Sequence, residues 1–416
     1  MMKATSWSAL AAAAIVLAAC GGSDDPVAPP QATPARPPVA QVPQVTKVDV
    51  LATSASGIES IAYKDGQAYL GLSNSSSAGS SVLRTALPLK AGATWSAMPL
   101  GACGVAAAAD TPLRAPTLRV LGATLWLFQP WYDGGTAAAD EHALCALDTS
   151  AGAGAGASAF VARDAGLKAC YGEFCSTLSM TDLKQNGNVL YSNAGGAPNL
   201  LASNDGGNKW TAVLGQLDTM MCYHQSFEVV GDRVLVGGEC PLDMAYVRAY
   251  RLRGDGLGLA SEQALPVTLP DLENRNVQFI SRIGTSQRVF IGVEGGLLRS
   301  DDGGQSFKFV IEQPLSGGTS YPYIGRLLAM PDKPDTIVAG GFDKATGKPY
   351  LAWSADGGAK WTDISALLPG YANAAGRTSA AMVTSLGLDP QGRIVVTVNE
   401  EEHAKGSVLL LTLGTP

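Results

Sequence analysis

The side chains of this chain that could carry chemistry are three histidines, seven cysteines and scattered carboxylates, and their spacing decides which reactions are open to them. His142, His224 and His403 lie far apart and lack the i, i+4 pairing of a zinc-binding helix. They read as solvated loop residues, and no metal or other cofactor is expected. The sequence contains no G-x-S-x-G turn for a nucleophilic serine and no H-E-x-x-H. Gly341 to Lys348 places five rather than four residues between its glycines, and Ala151 to Ala157 reads AGAGAGA, so neither makes a phosphate cradle. No catalytic residue is assigned.

The elements that must position any site follow from composition. Of 416 residues, 46% are hydrophobic and 16% charged, which is enough apolar material for a large core. With 49 Gly and 24 Pro against 7% aromatics, many tight turns joining short strands are expected rather than long helices. The formal net charge of -7 disfavours a nucleic-acid partner, which would need a basic stripe.

The first residues carry an address. Met1 to Ala19 has one cation, Lys3, then an apolar run from Ala9 that ends in Leu17-Ala18-Ala19-Cys20. That run is shorter than the roughly 20 apolar residues a spanning helix needs. The segment resembles a bacterial lipoprotein signal peptide. The resemblance implies cleavage after residue 19, lipidation of Cys20 and, with Gly21 rather than Asp following, an outer-membrane lipoprotein whose head lies in the periplasm or at the cell surface. Residues 20–45 are rich in Pro and Ala and poor in large hydrophobes, so they read as a disordered tether. Folded structure is expected over 46–416.

Self-similarity organises that region. Ser203 to Trp210, Ser300 to Phe307 and Ser354 to Trp361 all read S-x-D-x-G-x-x-[WF]. The fixed positions are Ser203, Asp205, Gly207 and Trp210, then Ser300, Asp302, Gly304 and Phe307, then Ser354, Asp356, Gly358 and Trp361. Asp-Gly and Gly-Gly suit a tight hairpin, Ser and Asp can accept from turn amides, and the aromatic re-enters the core. The alternating oxygen ligands and terminal Glu of a calcium loop are missing. The pattern resembles the Asp-box, or bacterial neuraminidase repeat, of β-propellers such as sialidases, xyloglucanases, sortilin-type receptors and photosystem-assembly-factor-like proteins.

A second marker, strand, turn, strand, recurs at 61–72, 118–128, 181–192, 227–238, 281–292, 327–341 and 386–398, giving seven units. Arg253-Gly254-Asp255-Gly256 falls where a degenerate turn is due, which makes a turn the preferred reading over an adhesion motif. The expected fold is all-β, a single seven-bladed β-propeller of four-stranded blades. No fourth strand follows 407–414, whereas 45–53 is strand-like and unassigned, so an N-terminal strand should close the ring.

The resemblance puts the Asp-box turns on the bottom rim and ligands on the top face. Six cysteines allow 15 connectivities. Their matching places in blades two and four suggest Cys103 with Cys145 and Cys222 with Cys240, leaving Cys170 with Cys175. Candidate top-face binding residues are Trp131, Tyr132, Tyr171, Tyr223, His224, Arg275, Tyr321, Tyr323, Arg326 and Arg377. Aromatics among polar groups suit carbohydrate stacking or protein contact.

Two functional classes compete. A sialidase-like exo-glycosidase would need an R-I-P segment, which is missing, and six blades where seven are counted. Arg282, Arg326 and Arg377 are the arginines such an enzyme could use to grip a carboxylate. The preferred reading is a non-catalytic monomeric lipoprotein that binds an envelope protein or glycan through its top face, in an assembly or scaffold role. The alternative is a glycoside hydrolase.

Overall fold

The structure is a computed structural model that describes residues 45–73, 81–100, 103, 116–128, 142–147, 160–165, 168–171, 174–177, 179–195, 200–214, 223–240, 244–272, 275–313, 315, 322–371, 381–400 and 405–413. Seven antiparallel sheets follow one another along the chain, each a meander with its first strand innermost. These first strands are Ile58–Lys64, Thr117–Leu121, Ser179–Asn186, Tyr223–Val230, Val277–Arg282, Pro322–Met330 and Met382–Leu388. The arrangement is the seven-bladed β-propeller expected from the repeats.

The ring is closed by the predicted clasp. Val45–Ser54 pairs antiparallel with Lys405–Leu413 and becomes the outer strand of blade seven. Blade four differs from the others: three strands form its ladder, and its fourth position is filled by residues 265–269. That segment makes single bridges, Leu265 to Ala249 in blade four and Thr268 to Ser306 in blade five. It straps two blades together instead of extending one. The Arg253 to Gly256 motif just before it is a turn, with the Leu257 amide donating to Asp255 at 2.9 Å and the Gly256 amide to the Arg253 carbonyl at 2.9 Å.

Alternation along the strands explains the packing. Strands buried on both faces send successive side chains to opposite neighbours. Val289, Ile291 and Val293 therefore join the cluster shared with blade four, while Phe290 joins the one shared with blade six. Seven such clusters lie between consecutive blades, including the closing pair, where Val395, Val408 and Leu410 meet Ile58, Ile61 and Leu70.

The three repeat turns share one geometry. Ser203, Ser300 and Ser354 each donate to the Asp two residues on, at 2.8, 2.7 and 3.0 Å, and accept from the glycine amide four residues on, at 3.0, 2.9 and 2.8 Å. Both glycines of every turn have positive φ, between 72° and 84°, which other residues adopt only at a cost. Each turn also reaches the preceding blade: Gly207 abuts Trp126, Gly304 abuts Leu235, and Gly358 abuts Phe290. Trp210 Nε1 donates to the Arg163 carbonyl of blade two at 2.8 Å. The turns staple neighbouring blades at the rim opposite the strand-two-to-three connections.

Cys103 and Cys145 are joined by a disulfide and are both 1% exposed, within the core between blades one and two. Cys170 and Cys175 face each other as backbone partners in a small hairpin, Lys168–Tyr171 with Phe174–Thr177. Cys222 lies outside the described residues, as do residues 1–44, which hold Cys20, the segment expected to be a signal peptide and all of the expected tether except Val45, which opens the strand Val45–Ser54.

Candidate functional site

Two regions gather functional side chains. The first is the central cavity, about 700 Å³, to which all seven first strands contribute. Because side chains alternate, residues between the core positions face the axis, and blades two to four place Arg119, Asp182, Lys184 and Glu228 there. Arg119 pairs with Asp182, and Lys184 Nζ lies 3.6 Å from Asp182 and 2.9 Å from Glu228. The Lys184 ammonium also donates to the carbonyls of Phe227 and Ile280, both at 2.5 Å, so this one side chain ties blades three, four and five. Burial pushes the Asp182 carboxyl up, but the charges of Arg119 and Lys184, with hydrogen bonds from Arg119 and the Leu183 amide, outweigh it and hold it below the usual carboxylate range. The acids of this wall are engaged in fixed ion pairs.

The second region is the top of blades four to six. Glu294, in the strand-two-to-three turn of blade five, accepts hydrogen bonds from Tyr323 and Asn276. Burial pushes its carboxyl above the usual range, and the like charge of Glu239 adds to this, against those hydrogen bonds and the Lys344 charge. Tyr323 stacks on Phe342 with ring centroids 4.6 Å apart, and Lys344 Nζ sits 5.6 Å from the Tyr323 ring. In blade four Arg248 lies 6.0 Å from the Tyr246 ring. The result is an aromatic and charged patch.

The sequence-derived candidates divide between these places. Tyr323 belongs to the top patch. Arg326 lines the central cavity, its Nε donating to the Thr384 carbonyl at 2.6 Å and its Nη1 to the Gly325 carbonyl at 2.7 Å. Arg275 is no surface residue: it is 2% exposed, and its Nη1 donates to the carbonyls of Glu294 and Gln313 at 3.2 and 2.9 Å, bracing the turn beneath Glu294. Its charge is shared with the Phe309 ring, 5.2 Å away. Tyr171, Tyr223 and His224 occupy strand positions in Lys168–Tyr171 and Tyr223–Val230. Trp131, Tyr132, Tyr321 and Arg377 lie outside the described residues. His142 hydrogen bonds through Nδ1 to Asp164 at 2.9 Å.

Sequence reasoning misses Glu294, Glu239, Phe342 and Lys344, and the Arg119 to Glu228 ladder. The ladder had a signal: in TLRVL and TDLKQ, charges alternate with core residues, marking a strand face turned to water. The patch had none, because its members come from three blades.

No protein-family model matches the chain, and no curated protein matches it by sequence. Among solved structures it is similar to one titled "YCF48 bound to D1 peptide", with TM-score 0.50 and 12% identity over 90% of this chain and 98% of that one. It is similar also to the extracellular domain of the putative one-component system BT4673 from B. thetaiotaomicron, with TM-score 0.50 and 12% identity over 88% of this chain and 40% of that one. The GH74 xyloglucanase from Xanthomonas campestris is matched at TM-score 0.35 and 15% identity, over 84% of this chain and 45% of that one. At these identities the likeness concerns the propeller fold alone.

Proposed function

We propose that this protein is a non-catalytic lipoprotein of the outer membrane, anchored through Cys20, which binds an envelope protein or glycan through the top of an Asp-box propeller in an assembly or scaffold role. The top patch of blades four to six carries this reading. Tyr323, Phe342, Tyr246, Lys344 and Arg248 mix aromatic faces with cations on a rigid scaffold, a composition suited to partner contact at little ordering cost. The acids Asp182 and Glu228 are engaged by Lys184 and Arg119, which leaves them poor general acids or bases. The propeller named YCF48 was solved with a bound peptide, which accords with a protein partner.

One observation favours glycoside hydrolysis instead. Glu294, whose carboxyl is raised by burial, is hydrogen bonded to Tyr323 and feels the charge of Glu239, and a carboxyl raised by burial is what the acid in cleavage of a glycosidic bond requires.

The test is cross-linking of the intact anchored protein in cells, comparing wild type with Tyr323→Ala and Lys344→Ala, together with mass-spectrometric assay of sialosides, plant polysaccharides and bacterial envelope glycans. A discrete cross-linked partner lost in both variants, without turnover, is the expected result. New reducing ends or free sialic acid, abolished by Glu294→Gln, would replace this reading with the hydrolase.

A further inference from the structure

The ladder along one wall of the central cavity alternates in sign. Arg119 on blade two meets Asp182, Asp182 meets Lys184, and Lys184 meets Glu228, whose carboxylate accepts from the amide of Arg282 on blade five at 2.9 Å. The ladder thus starts at the Arg119 guanidinium and ends on the backbone of Arg282, whose side chain also lines the cavity, and the members between are sequestered: the side chains of Asp182, Lys184 and Glu228 are 16%, 15% and 12% exposed, against 36% for Arg119. Neither end is saturated. Arg119 spends Nη1 on Asp182 and the Leu183 carbonyl and lays its guanidinium 5.6 Å from the Phe128 ring, leaving Nε and Nη2 without a hydrogen-bond partner among the described residues. Arg282 is held by its own turn, through Nε to the Ser286 carbonyl and Nη2 to the Thr285 carbonyl, with no carboxylate on its guanidinium among the described residues.

The rest of the cavity agrees in sign and shape. Its described lining holds four cations, Arg119, Lys184, Arg282 and Arg326, against three anions, Glu59, Asp182 and Glu228. Glu59 is 5% exposed and accepts from the Asn399 amide at 2.9 Å. Blades seven and one contribute only Ser385, Gly387, Ser60 and Ala62 at the matching axial positions, so the space of about 700 Å³ remains open beside the ladder. What the cavity offers a ligand is guanidinium donors gathered in one confined space, within a protein whose overall charge is -7.

We infer that the central cavity is a binding site for a small oxyanion carrying at least two carboxylate or phosphate groups, which the two ends of the Arg119 to Arg282 ladder hold from opposite sides. Guanidinium forks match both oxyanions bidentately, so the shared chemistry is the paired negative oxygen. This site lies on the propeller axis and is independent of the top patch.

The test is thermal unfolding and calorimetric titration of the full chain with citrate and with pyrophosphate, against sodium chloride at matched ionic strength. A melting rise of about 2 °C or more with either anion, beyond the chloride control, is expected from ligand linkage. Citrate alone would assign a carboxylate ligand and pyrophosphate alone a phosphate ligand. Arg282→Gln, which leaves every ion pair of the ladder in place, should weaken binding at least tenfold, and Arg119→Lys should weaken it while keeping Asp182 paired. The inference is overturned if neither anion exceeds the control, or if an anion binds equally well to wild type and Arg282→Gln.

Discussion

The hydroxyl of Thr384 in blade seven donates to the carbonyl of Ile58 in blade one at 2.5 Å, joining residues 326 positions apart and closing the ring from within. The same hydroxyl lies 2.8 Å from that of Thr397, so the contact is part of a buried polar chain. On the outside, Val45–Ser54 closes the ring again by completing the sheet of blade seven. Deleting residues 45–54 should uncover the edge of Lys405–Leu413, lower the melting temperature and promote aggregation, seen by light scattering on heating. Thr384→Val should cost about 1–3 kcal/mol by orphaning the Ile58 carbonyl, measured by urea unfolding. An unchanged midpoint in both variants would mean that closure depends on neither contact.

Close blade approach makes a second prediction. A Cβ at Gly292, on the second strand of blade five, would lie 2.0 Å from the Phe279 ring and 2.3 Å from the Ile324 carbonyl of blade six. Backbone cannot yield as a flexible side chain does, so Gly292→Ala should destabilise by about 1–3 kcal/mol or more. Chemical denaturation of the variant decides it, and a loss below about 0.5 kcal/mol would show that the blades can part without cost.

The Cys103 to Cys145 bridge spans 42 residues of sequence. Chain-entropy reasoning gives such a cross-link about 2–4 kcal/mol. Replacing both cysteines by Ala should lower stability by that amount. The loss should persist under oxidising conditions and vanish when wild type and variant are compared in reductant. Identical melting of wild type with and without reductant would show that the core between blades one and two holds without the bridge.

Acid stability should report the repeat turns. Burial pushes the Asp302 carboxyl up, but hydrogen bonds from Ser306, Ser300 and the Gln305 amide outweigh it and hold the group at about 2, below its ordinary 3.8. A depressed folded value means the stabilisation is complete above the unfolded value and is lost as pH falls through the folded one. Unfolding midpoints should therefore drop between about pH 4 and pH 2, with Asp302→Asn giving a lower plateau at neutral pH and a shallower acid limb. Equal acid limbs for variant and wild type would remove the turn carboxylate from the acid transition.

The sequence by itself determined the fold, the seven units, the closing strand and the geometry of the three repeat turns. These depend on period and local chemistry: a glycine of positive φ, a serine two residues before an aspartate and an alternating strand are legible wherever they stand. It also supplied the Cys103 to Cys145 pairing, because the cysteines repeat a position within the blade. Tertiary structure alone decided what the side chains face. Arg275 and Tyr323 both read in sequence as candidates for the top face, yet one is buried under a turn and the other stacks on Phe342. Arg326 points to the axis because its strand is innermost, and blade four gives up its fourth strand because Thr268 bonds to the turn of blade five. The ladder from Arg119 to Arg282 spans four blades, and no local pattern encodes the angle at which successive blades meet around an axis. That angle comes from the seven hydrophobic interfaces acting together, and only then do charges from distant repeats converge on one cavity.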